Sequence, residues 1–277
     1  MPEIINSINE IRKFRGSLTG TVGFVPTMGY LHEGHLNLVK EASIRADHVV
    51  VSIYVNPSQF GENEDFDSYP RDFDRDIELL TQLKVDAVFL PTDKMIYPED
   101  YKTWIKVDEF SDILCGKSRP DHFRGVATIV AKLLNITTPD QIFLGEKDYQ
   151  QLIIIKQMVR DLNMPHEVVG CKIVREPDGL AMSSRNKYLS LEERRRALSI
   201  SAALNHARKL YQHGVSDAEI VYAEIKKKIT DNKMQIDYIA IVDEKNLSAV
   251  SELRKGCRIL IAAYIGKTRL IDNMAIQ

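Results

Sequence analysis

FVPTMGYLHEGHLNLVKEA, residues 24–42, is the stretch on which the reading of the fold turns. Phe24 and Val25 end an apolar run that starts at Val22, the pattern of a strand covered on both faces. A turn bearing Pro26 and Gly29 follows, and Leu36–Arg45 then takes helical spacing. The helix opens near Gly34, where N–H groups without an intrahelical acceptor offer an anion site at a strand end. His32 and His35 stand three residues apart and share a face of that turn. Two imidazoles so placed can donate N–H groups to the same phosphate oxygens. The helix terminus disfavours an imidazolium and a phosphate favours it, so spacing leaves their charge open. The pair alone also suits a solvated helix face, and HEGH is not the H-E-x-x-H zinc pattern. Position beyond the first strand is what favours phosphate.

Outward from this block, Val49–Val55, Val85–Leu90, Gln141–Leu144 and Val168–Val174 read as further strands. Between them Asp72–Leu83, Phe123–Leu134 and Tyr149–Leu162 have helical periodicity. The first residues, MPEIINSINEIRKFRG, read as a helix with Ile4, Ile5, Ile8 and Ile11 on one side, and they lack the apolar core of an export signal. Strand and helix in alternation predict an α/β fold, a doubly wound parallel sheet of Rossmann type, over residues 1–175. Its ligands belong beyond the carboxyl ends of the strands, in the loops after Val25, Val55, Leu144 and Val174. From Pro177 the pattern changes. Ser190–Glu193 and Ser216–Glu219 look like capping boxes of two helices, and Ile236–Val242, Cys257–Ile265 and Arg269–Ile276 read as strands. Residues 176–277 are therefore expected to form a smaller α+β domain that closes over the site, hinged at REPDG, residues 175–179.

The bulk numbers exclude several classes. A formal charge of −2 over 277 residues argues against a nucleic-acid partner. The longest apolar runs, such as Leu152–Ile155 and Ile259–Ile265, are too short to span a bilayer, so no membrane partner is expected. Three dispersed cysteines, Cys115, Cys171 and Cys257, form no framework and fit a reducing cytoplasm.

Two later blocks carry cations and hydroxyls. GEKD, residues 145–148, follows the fourth of these strands and places Lys147 at a helix mouth. MSSRN, residues 182–186, offers Ser183, Ser184 and Arg185. Phosphoryl and nucleotidyl chemistry needs such groups, because it proceeds largely by setting positive charge on non-bridging oxygens. NPSQF, residues 56–60, and Gln151, four beyond Lys147, supply neutral amides that suit a hydroxylated carboxylic acid. The acidic run ENEDFD offers Asp65 or Asp67 to Mg²⁺ but reads as well as a solvated loop, and no metal ligand is assigned.

In this order and spacing the blocks resemble a family. HEGH is similar to the HIGH signature of the nucleotidylyltransferase superfamily, and MSSRN to its KMSKS loop, with arginine for lysine. PTMGYLHEGH, VNPSQFGENEDFDSYPR, HFRGVATIVAKLLN, GEKDYQQL and VREPDGLAMSSRNKYLS together resemble the pantothenate synthetase (pantoate–β-alanine ligase) family across residues 22–190. The resemblance implies adenylation of pantoate by ATP with Mg²⁺, capture of the adenylate by β-alanine, and a homodimer. It further implies an ATP site made of Met28, Gly29, Tyr30, Leu31, His32, Glu33, Gly34, His35, Gly145, Glu146, Lys147, Asp148, Val174, Met182, Ser183, Ser184 and Arg185. His35 would be the proton donor with His32 beside it, Gln59 would hold pantoate and adjoin β-alanine, and Gln151 would hold pantoate. Tyr30 departs from the family's frequent alanine and could reshape the nucleotide entrance. Another small-substrate nucleotidylyltransferase is the alternative.

Overall fold

The structure, a computed structural model, describes residues 1–62 and 64–277. Six strands form one parallel sheet: β1 (Glu3–Ile5), β2 (Val22–Thr27), β3 (His48–Ile53), β4 (Ala87–Phe89), β5 (Gln141–Gly145) and β6 (Glu167–Cys171). Their order, β1-β4-β3-β2-β5-β6, reverses direction at β2, so the crevice between the ends of β2 and β5 is the expected ligand site. The helices are α1 (Ile8–Ser17), α2 (Glu33–Arg45), α3 (Phe73–Gln82), the single turns α4 (Asp93–Ile96) and α5 (Cys115–Ser118), α6 (His122–Thr137) and α7 (Tyr149–Asp161). One sheet face packs with α1, α6 and α7 through Phe24, Val50, Val130, Leu134 and Ile154. The other is closed by α2 and α3 through Val25, Val51, Leu36, Val39 and Leu80. Burial on both faces explains why these strands read as unbroken apolar runs.

Beyond the sheet, α8 (Leu191–Gln212) and α9 (Ala218–Asp231) cover one face of an antiparallel sheet, β7 (Gln235–Asp243), β8 (Cys257–Ile265) and β9 (Thr268–Ala275). Its opposite face is not free: Val242 and Leu260, with Leu247 of the β7–β8 loop, belong to the apolar core of the large sheet.

Three local expectations are corrected. Ile4 and Ile5 lie in β1, paired with β4, and the helix starts only at Ile8, because the Ser7 side chain accepts the Glu10 N–H and fixes the start. The second late helix is capped by Asp217, not by a Ser216–Glu219 box; Asp217 Oδ1 accepts from Glu219 and Ile220 N–H. The sixth strand stops at Cys171, and Val174 instead enters a hairpin in which Arg175 bridges Ala181. The Ser190 box forms as expected. REPDG is the tight end of that hairpin, with Gly179 at φ 94, and it is braced: Arg194 of α8 pairs with both Glu176 and Asp178.

Candidate active site

The PTMG turn leaves β2 with Gly29 at φ 79 and Tyr30 at φ 50. Two left-handed residues in a row need outside support, and α3 gives it: the buried Asp76 carboxylate accepts the N–H groups of Tyr30 and Leu31, each at 2.7 Å. Nothing in the spacing of Asp72–Leu83 marked Asp76 for this task. The turn delivers His32 as the N-cap of α2 and His35 as its third residue. His32 Nδ1 accepts the Gly34 N–H at 3.1 Å, and His35 Nδ1 accepts the His32 N–H at 3.4 Å. Both rings therefore carry hydrogen on Nε2 when neutral, and they stack with centroids 4.0 Å apart. Burial, then the charge of Lys147, lowers His32 to about 4; burial, then its two neighbours His32 and Lys147, lowers His35 to about 3. Both shifts favour the neutral rings, which then present two Nε2–H donors.

A cavity of about 840 Å³ lies between the carboxyl ends of the large sheet and the small sheet, lined by Lys147, Asp148, Gln151, Ser183, Arg185 and Asn186 among others. The imidazole pair and Gln59 are not in its wall but stand against it. A Cβ placed on Gly34 would lie 3.7 Å from Cβ of Met182, and the Tyr30 ring receives Lys187 Nζ at 4.3 Å from its centroid. Tyr30 thus ties the first block to the residue just after MSSRN. Ser184 Oγ lies 3.4 Å from Tyr69 Oη, and Arg185 grips Asp65 through Nε and Nη2 at 3.1 and 2.7 Å. Blocks about 150 residues apart in sequence therefore touch each other beside the cavity.

Gln59 closes the short turn Pro57–Gln59, capped by Asn56. Its Oε1 accepts from Asn56 Nδ2 at 3.1 Å, and its Nε2 donates to Met28 Sδ at 3.2 Å. The turn lies on α6 at Gly125, where a Cβ would come within 2.2 Å of the Ser58 carbonyl oxygen; only glycine admits this approach. Arg119 and His122, both in the cavity wall, donate to the Gln59 carbonyl. Arg119 also pairs bidentately with Glu64. Neither Arg119 nor His122 had a role marked by spacing, although His122 opens the quoted HFRG motif and Arg119 lies just before it.

Three of the residues expected in the site are partly engaged elsewhere. The Glu33 side chain pairs with Lys40 on the solvent side, so its backbone alone can serve a ligand. Glu146 turns towards Arg258. The Val174 carbonyl already accepts the Met182 N–H at 3.0 Å, which leaves its own N–H for a nucleotide.

A parallel α/β sheet whose switch-point loops unite an HxGH pair with a lysine and a serine–arginine loop defines a nucleotide-binding protein of the nucleotidylyltransferase kind. Comparison narrows this. The model of the pantoate-beta-alanine ligase family matches residues 3–275, and the chain belongs to that family. It is 51% identical to the pantothenate synthetase of Thermotoga petrophila over 275 residues, 98% of either chain. It is 52% identical to that of a Sulfurihydrogenibium species over 255 residues, 91% of either chain. The crystal structure of pantothenate synthetase from Thermus thermophilus superposes with a TM-score of 0.94 at 42% identity, covering 99% of each chain. Pantoate-beta-alanine ligase from Francisella tularensis, complexed with beta-gamma ATP and beta-alanine, gives 0.83 at 40%, covering 99% of this chain and 98% of that one.

Proposed function

We propose that this chain joins pantoate to β-alanine with ATP, through a pantoyl adenylate. A pantoate carboxylate oxygen attacks the α-phosphorus and pyrophosphate leaves. The free amine of β-alanine then attacks the acyl carbon, AMP leaves, and the amine proton passes to solvent. A carboxylate cannot expel oxide, whereas AMP leaves readily, so adenylation is the step that makes the amide accessible. Family membership and the ligands of the Francisella structure support this chemistry. The observation that carries it is the convergence of Lys147, Ser183, Arg185 and Gln151 on one cavity beside two neutral imidazoles.

In this reading His32 and His35 donate Nε2–H to oxygens that gain charge as the α-phosphorus is attacked, at no cost in reorganisation. Lys147, Ser183, Ser184 and Arg185 hold the triphosphate. The Met28–His35 turn, Gly145–Asp148, Val174 and Met182 embrace the nucleotide. Gln151 and Gln59 hold pantoate, and Gln59 adjoins β-alanine. Among the described residues no three His, Cys, Asp or Glu side chains gather as a metal cage. Asp148, in the cavity wall next to Lys147, would be available to Mg²⁺ carried in on phosphate oxygens, and the ion would neutralise phosphate charge there. Residues 176–277 would close over the nucleotide and keep water from the adenylate. A homodimer in the cytoplasm completes the reading. Among the described residues no helix is long and apolar enough to cross a membrane.

The deciding assay is exchange of labelled pyrophosphate into ATP without β-alanine. Exchange that depends on pantoate and fails with other hydroxy acids is the expected result. Exchange without any acid, or with a phosphorylated substrate instead, would transfer the chain to another nucleotidylyltransferase activity.

A further inference from the structure

The small sheet holds a buried polar group that the chemistry above leaves unused. On β8 Arg258, and on β9 Asn273, are 6% and 2% exposed and lie on the face turned to the large sheet, alongside Leu260. Asn273 Nδ2 donates to two successive carbonyls, Glu146 at 2.8 Å and Lys147 at 3.0 Å. Its Oδ1 accepts from Arg258 Nη1 at 2.6 Å, which fixes the amide's orientation. Arg258 lies 3.7 Å from the centroid of the Tyr149 ring and reaches Glu146 only at 3.4 Å, while its Nε is buried without a partner. A buried arginine so poorly satisfied is a weak device for stability. It makes sense as a holder of Asn273. The neighbouring Asp272 faces the other side of the strand and takes Arg175 bidentately at 2.7 and 2.9 Å, one residue after Val174 on the path to MSSRN. Two adjacent residues of β9 thus brace both halves of the cation set, the GEKD segment and the SSR loop.

We propose that Asn273, oriented by Arg258, is a positioning residue that sets the Lys147 segment for the triphosphate. This rests on the reading of Lys147 as a phosphate-holding group. Lys147 leaves a three-residue helical turn, Glu146–Asp148, and Asn273 pins that turn's backbone from the opposite sheet. Misplacement of a charge by about 1 Å can cost roughly 10²-fold in rate.

The isosteric variant Asn273→Asp keeps an acceptor for Arg258 but turns a carboxylate oxygen on the two carbonyls in place of the donor. It should lose roughly 10- to 100-fold in pyrophosphate exchange and weaken ATP binding, with KM for pantoate little changed. In a Lys147→Gln background the same change should add almost nothing to either loss. Asn273→Ser, which can still donate one bond, should fall between; it serves where the aspartate variant fails to unfold cooperatively. A folded Asn273→Asp with native exchange and ATP affinity would overturn the proposal, as would a loss that multiplies in full with Lys147→Gln. ATP titration reads this coupling whatever acid the enzyme activates, so a wrong acyl substrate would show in the exchange assay and leave this test intact. A parent protein that binds no ATP would overturn both.

Discussion

At His32 and His35 the ring hydrogen sits on Nε2 because each Nδ1 already accepts a backbone N–H. Nitrogen-detected NMR of the imidazoles should show the Nε2–H tautomer in both, without protonation from pH 8 to about 5; titration of either near 6.5 would contradict the neutral-donor role. The same burial couples to stability. Folded values of about 4 for His32 and about 3 for His35 and His122 lie below the unfolded 6.5, so acid protonates the unfolded chain first. Stability is fully present above about pH 6.5 and drains as pH falls towards 4. Urea midpoints measured between pH 7.5 and 5 should fall, and His122→Asn should flatten the decline; a flat native profile would refute the buried neutral state. Removing the proposed donor in His35→Ala should lower kcat by roughly 10²-fold, and an effect confined to KM would count against it. The spacing of HEGH was enough to find the pair. Its charge was not legible, because it depends on burial and on the partner of each Nδ1, which arise only in three dimensions.

Helix α6 presents its glycine to the turn that carries Gln59, and this gives an element-level test. Gly125→Ala forces the Ser58 carbonyl away from a Cβ that would sit 2.2 Å from it, and Gln59 moves with it. KM for pantoate should rise roughly 10-fold or more while α6 stays helical, since alanine is the better helix former. Unchanged pantoate kinetics in a well-folded variant would detach Gln59 from the substrate. Elements themselves were largely readable, because strands covered on both faces cannot alternate and the helices between them must. What failed was local. Ile4 and Ile5 looked helical because they continue the one-sided spacing of Ile8 and Ile11, and only pairing with β4 makes them a strand. Asp76 and Asn273 escaped notice because each sits among other polar residues of its element, and the partners that set it apart lie 45 and 126 residues away.

For the whole molecule, a parallel sheet precedes residue 175 and an antiparallel one follows it. Energetically the two parts are joined. Val242 and Leu260 of the small sheet, with Leu247 of the loop between β7 and β8, complete the core that α6 and α7 build on the large one, and Tyr149 donates to the Glu244 carbonyl at 2.8 Å. Any closure over the nucleotide must then keep this contact as its pivot, and the braced REPDG hairpin should travel with α8 while the strain falls on Lys172–Val174. A chain built this way should unfold in urea as one transition seen alike by Trp104 fluorescence in the first part and by far-ultraviolet circular dichroism. A fragment of residues 1–175 would leave the α6–α7 core facing water where Leu260 and Val242 lay, and should bind hydrophobic dyes and melt broadly. A sharp, dye-free transition for that fragment, matching the full chain's midpoint, would mean that the shared core contributes nothing and that the two parts fold apart.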